Sequence, residues 1–310
     1  MLVLLEALLS STLEAAPALV FAALGATLSE RSGVVNVGVE GMMRAGAFVA
    51  AVSALVLPTP LAVLVGMVAG GSLGLLHGWL CVRWRADQVV SGMALNLVML
   101  AFGTFLLEAL FNSPSNTPSI TQLPRWSLGL AEVPVLRALS GHTVLTWLAL
   151  LLPFAVHGLI YRTAWGLRIR AAGEKPQAVA VMGVSVARLR MTAVVLSGAL
   201  AGLGGAALST ATLDRFEHHM PAGLGFMAVA AMVFGRWTPR GAAAAATFFA
   251  FGNALRIGLS SSLPELSKVV PQGAMLALPY ALTLLVLAVQ KKSDGAAPAA
   301  LGTPYDPELR

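Results

Sequence analysis

Four polar side chains lie in stretches of this 310-residue chain that are otherwise rich in apolar residues. They are one acid and three amides: Glu40, Asn36, Asn96 and Asn253. Such a group is costly to bury in a membrane, so it either bonds to a neighbouring helix or faces a water-filled path. Amides and a carboxylate can hydrogen-bond a neutral hydroxylated or purine solute. We therefore treat the four as candidate pathway residues, with bonding between helices as the alternative.

Motifs for catalysis do not accompany these residues. The sequence contains no GxxxxGK[ST] phosphate-binding loop and no HExxH zinc motif. The single cysteine, Cys81, excludes an intrachain disulfide and a cysteine-built metal site. We expect a protein that is not an enzyme and has no cofactor of its own.

Composition indicates a membrane protein. Hydrophobic residues make up 57% of the chain and charged residues 11%, whereas soluble domains have about 25% charged residues. The mean hydropathy is +0.80. A net charge of +6 is typical of cytoplasmic loops beside anionic lipid, so nucleic acid is not expected as a partner. The fold class is an all-α polytopic membrane protein.

Apolar runs predict about nine transmembrane helices, within a range of eight to ten. A span needs about 20 apolar residues. Candidate spans lie near residues 9–28, 42–57, 60–82, 88–110, 142–161, 187–212, 221–235, 241–258 and 272–290. Together they predict a membrane domain over residues 1–292.

Basic residues predict the topology. With single crossings and residues 162–190 inside, the inner side receives 15 of the 20 Lys and Arg residues, including Arg44, and the outer side receives 4. The N-terminus is then outside and the C-terminus inside. Residues 112–142 form an extracytoplasmic loop. Residues 293–310, rich in Ala, Gly and Pro, are predicted to be a disordered cytoplasmic tail.

Residues 29–46 read SERSGVVNVGVEGMMRAG and alternate glycines with Asn36 and Glu40. This composition is unlike a plain loop and unlike a lipid-facing helix. It predicts broken or re-entrant backbone, which is tolerated at membrane depth only inside protein or beside a water-filled path.

Glycines recur every four residues in two other segments. Gly66, Gly70, Gly74 and Gly78 form one stripe, and Gly198 and Gly202 form another. Small-residue stripes let helix backbones approach closely, so they predict a tightly packed bundle.

Residues 162–190 carry six basic side chains and one acid, Glu174. Apolar residues within this loop recur at roughly helical spacing. The loop is therefore predicted to contain a short amphipathic helix that lies against another surface.

Three separated stretches together resemble one family. LSERSGVVNVGVEGMMRAGAF (28–48), ADQVVSGMALNL (86–97) and AGLGFMAVAAMVFGRWTPRGA (222–242) look like the signature segments of bacterial ABC importer permeases. This family handles simple sugars, nucleosides and branched-chain amino acids. The first stretch is most similar to the nucleoside-type branch.

The resemblance also implies a coupling element. Residues 166–184 are similar to the cytoplasmic loop through which these permeases engage their ATPase. The implied coupling residues are Arg168, Arg170, Gly173, Glu174 and Pro176.

The resemblance implies a multi-subunit transporter in the bacterial inner membrane. A separate cytoplasmic ATPase would bind ATP and Mg²⁺, and an extracytoplasmic substrate-binding protein or lipoprotein would deliver the ligand. A second homologous permease chain would complete the pathway, with a heterodimer favoured over a homodimer. The two permeases would alternate between outward-facing and inward-facing states.

Nucleosides or related ribosides are the expected cargo. The alternatives are a simple sugar or a branched-chain amino acid carried by the same architecture. A secondary transporter should contain a buried acid relay, and Glu40 alone gives that reading little support.

Overall fold

The computed structural model describes residues 2–127, 137–262 and 297–306, which are almost entirely helical. Ten α-helices occur in these residues: α1 (Leu2–Arg31), α2 (Val39–Ser53), α3 (Thr59–Gly78), α4 (Gln88–Phe111), α5 (Val144–Arg162), α6 (Ala164–Glu174), α7 (Pro176–Val181), α8 (Val186–Ala207), α9 (Leu224–Phe234) and α10 (Pro239–Ser262). One π-helical turn, Trp79–Arg83, follows α3, and another, Leu208–Thr212, follows α8. Strands β1 (Arg125–Trp126) and β2 (His142–Thr143) pair antiparallel.

Five helices of the described residues are long and apolar enough to cross a membrane. They are Leu5–Arg31, Thr59–Arg83, Gln88–Phe111, Val144–Arg162 and Val186–Thr212. The expected count of about nine is not confirmed. The candidates at 42–57 and 221–235 correspond to the 15-residue α2 and the 11-residue α9, and the candidate at 272–290 lies outside the described residues.

Helix α1 forms the centre of the bundle. Its residues from Ala16 to Glu30 are all buried, and it packs against α8, α10, α9 and α5. A helix that is apolar on every side is expected in such an interior position. By contrast, α4 exposes many large apolar side chains, among them Val90, Leu97 and Phe105, as a lipid-facing helix does.

The predicted glycine stripes lie where α2, α3 and α8 cross. A Cβ atom on Gly70 would overlap the carbonyl oxygen of Gly198, and a Cβ atom on Gly46 would overlap the backbone of Gly202. The prediction of tight helix packing is confirmed here. These contacts bring α2 against two full-length helices.

The described part of the predicted outer loop packs on the segment between α8 and α9. The backbone N–H groups of Thr117 and Ile120 donate to the carbonyl oxygens of Phe216 and Asp214. Arg125 also forms an ion pair with Glu14 of α1, with 2.7 Å between Nη2 and Oε1. These contacts fasten the loop to one end of the bundle.

Residues 297–306 differ from the disorder that composition predicts for this part of the tail. They lie against the end of α6 and the chain that follows α1. The N–H groups of Ala300 and Gly302 donate to the carbonyl oxygens of Gly173 and Gly33, at 2.8 and 3.2 Å. These partners lie far away in the sequence, so local composition does not reveal them.

A larger side chain in the glycine interface should destabilise the bundle. We expect Gly70→Val to lower the free energy of unfolding by about 1–3 kcal/mol, because the new methyl groups would push α3 from α8. The measurement is the thermal unfolding midpoint in detergent. Gly158→Val is the matched control, since a Cβ atom at Gly158 meets no atom within 4 Å. Equal midpoints for both variants would contradict the packing account.

Candidate functional site

The chain between α1 and α2, residues 32–38, is a buried break in the helical structure. We call these residues the break. Gly33 adopts a φ of +93°, a conformation that glycine adopts without steric cost. Backbone groups outside a helix need other partners when they are buried at membrane depth. The surrounding helices supply these partners through side chains.

Helices α3 and α4 bond the middle of the break. Gln88 accepts a hydrogen bond from the Val35 N–H at 2.7 Å, and the His77 ring lies 3.0 Å through Nε2 from the Val35 carbonyl oxygen. A carbonyl oxygen can only accept, so Nε2 carries the proton and Nδ1 accepts from Ser91 Oγ at 3.0 Å. Both polar groups of Val35 are therefore satisfied by side chains.

Asn96 joins the end of the break to the first turn of α2. Its Nδ2 donates to the Val37 carbonyl oxygen at 2.9 Å, and its Oδ1 accepts from the Gly41 N–H at 2.7 Å. The backbones approach closely here, because a Cβ atom on Gly92 would lie 2.7 Å from the Gly38 nitrogen. Asn96 thus holds the first turn of α2 against α4.

Asn36 lies at the centre of the break and is fully buried. Its Nδ2 donates to Ser197 Oγ of α8 at 2.9 Å. Its Oδ1 has no hydrogen-bond partner among the described residues. An unpaired buried acceptor can receive a hydrogen bond from a ligand, since leaving it unmade is costly.

Glu40 caps the N-terminus of α9. Its two carboxylate oxygens accept hydrogen bonds from the N–H groups of Gly223 and Gly225, at 2.8 and 2.7 Å. A carboxylate at a helix N-terminus is favoured both by these bonds and by the helix dipole. Glu40 therefore fixes α9 relative to α2.

Arg44, one turn after Glu40, bonds the segment between α8 and α9. It is 6% exposed, and its Nη1 donates to the His218 carbonyl oxygen at 2.6 Å. The backbone N–H group of His218 in turn donates to the Ser115 carbonyl oxygen of the predicted outer loop. Arg44 therefore lies toward the predicted outer side, although the count placed it inside. The count assumed that residues 42–57 cross fully from the inside, whereas α2 begins at the break.

Asn253 lies in α10. Its Oδ1 accepts from Nη2 of Arg256 at 3.0 Å. Within the described residues, hydrogen bonds do not connect it to Asn36, Glu40 or Asn96. The structure therefore groups three of the four candidates at the break and its continuation into α2.

A second set of contacts joins the end of α1 to the chain between α9 and α10. Trp237 Nε1 donates to Glu30 at 2.6 Å, and Arg31 Nε donates to the Trp237 carbonyl oxygen at 2.6 Å. Gln88 and Asn96 already connect residues 86–97 to the same region. All three signature stretches thus meet around the break.

The predicted coupling segment forms helices α6 and α7. Within it, Gly173 is buried, and a Cβ atom there would overlap the Arg31 carbonyl oxygen at the end of α1. Arg170 donates from Nε to the Ile160 carbonyl oxygen at 3.1 Å. Pro176 is buried at the start of α7, while Arg168 and Glu174 are exposed.

The far end of α7 carries two exposed apolar residues. Val181 is 87% exposed and Met182 is 80% exposed. Exposed apolar groups at the tip of a basic loop are suited to contact with another protein.

The sequence does not reveal three partners of the break: Gln88, Ser197 and Arg190, whose Nε donates to the Ser32 carbonyl oxygen at 3.1 Å. Nor does it reveal Ser91 as the partner of His77. Ser91 and Ser197 are polar residues within apolar runs, and this pattern marks them as candidates for bonds between helices. The pattern does not identify the group that each serine bonds. The two ring contacts of His77 fit a structural role.

Comparisons with known proteins identify the family. The family described as "Branched-chain amino acid transport system / permease component" matches residues 8–279. The chain belongs to this family. It is therefore a permease subunit, a transport component of an ABC transporter with no catalytic role of its own.

Three relatives cover nearly all of the chain. The guanosine ABC transporter permease protein NupQ of Bacillus subtilis is 39% identical over 97% of both chains. The nucleoside permease NupC of Lactococcus lactis is 34% identical over 89% of this chain and 92% of its own. The putative glucose permease TsgC13 of Haloferax volcanii is 34% identical over 97% of this chain and 98% of its own. No solved structure matches the chain.

Neutralising the acid that caps α9 should loosen this region. We expect Glu40→Gln to lower the free energy of unfolding by about 1–3 kcal/mol, because one of the two N–H groups loses its acceptor. The thermal midpoint in detergent reports the change. Glu108→Gln on the exposed face of α4 is the matched control. A Glu40→Gln midpoint equal to that of the control would contradict the capping role.

Proposed function

We propose that this chain is a permease subunit of an ATP-driven importer of nucleosides or related ribosides. The observation that carries the proposal is the similarity to permeases named for guanosine and nucleosides over nearly the whole chain. The location of the signature stretches supports it, because they surround one buried break.

Asn36, with Glu40 and Asn96 beside it, is the proposed start of the substrate pathway. The unpaired Oδ1 of Asn36 could accept a hydrogen bond from a ribose hydroxyl or a purine N–H. Glu40 and Asn96 would act by positioning, since the described contacts already use their polar atoms. Asn253 would contribute at a separate point on α10.

Helices α6 and α7 are the proposed contact with a cytoplasmic ATPase, which would bind ATP and Mg²⁺. The exposed apolar pair Val181 and Met182 and the exposed Arg168 supply the surface. The buried Gly173 would carry displacement to Arg31 and the break. This assigns Arg168, Arg170, Gly173, Glu174 and Pro176 to coupling, with Arg170 and Pro176 holding the segment in place.

The complete transporter would lie in the bacterial inner membrane. It would contain a second homologous permease, the ATPase and an extracytoplasmic binding protein or lipoprotein. A heterodimer of permeases is proposed over a homodimer. A sugar importer is the second candidate, favoured by the similarity to the putative glucose permease.

Uptake competition separates these cargo classes. The four-component complex is reconstituted in proteoliposomes with radiolabelled guanosine. We expect excess unlabelled nucleoside to abolish uptake, while ribose, glucose and leucine leave it unchanged. Absence of guanosine uptake, together with uptake of radiolabelled glucose or leucine by the same complex, would replace the proposed cargo.

Asn36→Ala tests the pathway. We expect a loss of guanosine uptake of about fivefold or more, because one polar contact in a buried site is worth about 1–3 kcal/mol. Co-purification with the ATPase should be unchanged. Normal uptake by the Asn36→Ala variant would show that Asn36 is not part of the substrate pathway and has a structural role.

Val181→Asp tests the ATPase contact. An acid in an apolar protein contact costs desolvation, so we expect co-purified ATPase to fall by about tenfold or more. Val56→Asp is the matched control, because Val56 is 84% exposed and follows α2 at the other end of the bundle. Equal ATPase recovery with both variants would count against the α7 contact.

A further inference from the structure

The C-terminal residues 297–306, which we call the C-terminal strap, touch several elements at the predicted cytoplasmic end. The strap meets the coupling segment first. The Ala299 N–H donates to Glu174 Oε2 at 3.1 Å, and the Ala300 N–H donates to the Gly173 carbonyl oxygen at 2.8 Å. Two consecutive backbone donors thus hold the end of α6.

The strap then meets the break itself. The Gly302 N–H donates to the Gly33 carbonyl oxygen at 3.2 Å. The close fit leaves little room, since a Cβ atom on Gly33 would lie 3.2 Å from the Ala300 carbonyl oxygen. Residues 299–302 therefore contact both α6 and the break.

Arg190 extends the same connection into α8. It is 2% exposed, although it carries a guanidinium group. Its Nε donates to the Ser32 carbonyl oxygen at 3.1 Å, and its Nη1 donates to the Thr303 carbonyl oxygen at 2.9 Å. A buried charge with two carbonyl partners is costly to separate from either one. Arg190 therefore joins α8, the break and the strap.

The end of the strap reaches the chain between α3 and α4. Asp306 pairs with Arg85 in a two-bond arrangement, with N–O distances of 2.7 and 3.0 Å. Tyr305 packs beside the apolar cluster that includes Ile169 of α6 and Leu189 of α8. The strap therefore spans the cytoplasmic ends of several helices.

We propose that the C-terminal strap is a mechanical link that ties the coupling helix α6 to the break. Force applied to α6 and α7 then reaches residues 32–38 through Gly173, Ala300 and Gly302, with Arg190 as a positioning residue. Without the strap, α6 still packs on the end of α1 and on the break through Gly173, where a Cβ atom would overlap the Arg31 carbonyl oxygen and lie 3.3 Å from the Gly33 nitrogen. The strap adds hydrogen bonds to this packing contact. This inference rests on the proposed function, because it assumes that an ATPase drives α6 and α7.

The link predicts a specific defect. A permease without the strap should still bind the ATPase, since Val181 and Met182 are untouched, but ATP hydrolysis should move less substrate. The measured quantity is the number of guanosine molecules transported per ATP hydrolysed by the complete complex in proteoliposomes.

Two kinds of variant test it. The first deletes residues 297–310. The second changes the ion pair at the protein surface, whose Arg85 and Asp306 side chains are 42% and 24% exposed: Asp306→Lys, Arg85→Glu and the double variant. Glu108→Lys makes the same charge change as Asp306→Lys on the exposed face of α4 and serves as the control.

We expect the deletion to lower the transport ratio by about fivefold or more, as for the loss of a coupling interaction. Each single reversal should lower it by about twofold or more, in keeping with the weakness of exposed ion pairs. The double variant should restore the ratio, and the control should match the unmodified complex.

A ratio that stays unchanged in both the deletion and Asp306→Lys would overturn the link. A deletion variant that no longer binds the ATPase, together with a double variant that does not restore the transport ratio, would also overturn the link. The strap would then be assigned to ATPase docking. Failure of the unmodified complex to transport guanosine while it hydrolyses ATP would instead count against the proposed cargo. The link would then be tested by the same transport ratio measured with radiolabelled glucose, the second candidate cargo, and a ratio that the deletion leaves unchanged would overturn it.

Discussion

The peptide groups of the break must find hydrogen-bond partners in an interior that offers little water. This constraint explains why helices α1, α3, α4 and α8 all place polar atoms beside residues 32–38. Ser29, His77, Gln88, Asn96 and Arg190 each bond a backbone atom of this short segment. The result is irregular backbone held by side chains rather than by a helix. A site of this kind can be both rigid and open to a ligand.

Much of this arrangement could be predicted from the sequence. Glycines alternating with Asn36 and Glu40 indicated broken backbone, and the stripes at Gly66–Gly78 and Gly198–Gly202 indicated close packing. The partners could not be predicted, because a residue such as His77 reads the same whether it bonds Val35 or another helix. The docking of residues 297–306 was also hidden, since it depends on acceptors more than 100 residues away.

The same contacts give the coupling segment a route to the break. Gly173 is buried against the end of α1, and the C-terminal strap bonds α6 and Gly33. On the other side, Glu40 and Arg44 join α2 to the chain around α9. A displacement of α6 would therefore act on elements that contact the candidate pathway residues. This connectivity fits the proposed function, in which a separate ATPase acts on α6 and α7.

Amide hydrogen exchange of the complete transporter in lipid nanodiscs tests whether specific hydrogen bonds hold the buried break. We expect the amides of Gly33, Val34, Val35 and Gly41 to exchange about as slowly as those in the middle of α1, although most of them lie outside helices. Exchange at the rate of an unfolded peptide of the same sequence would contradict this expectation.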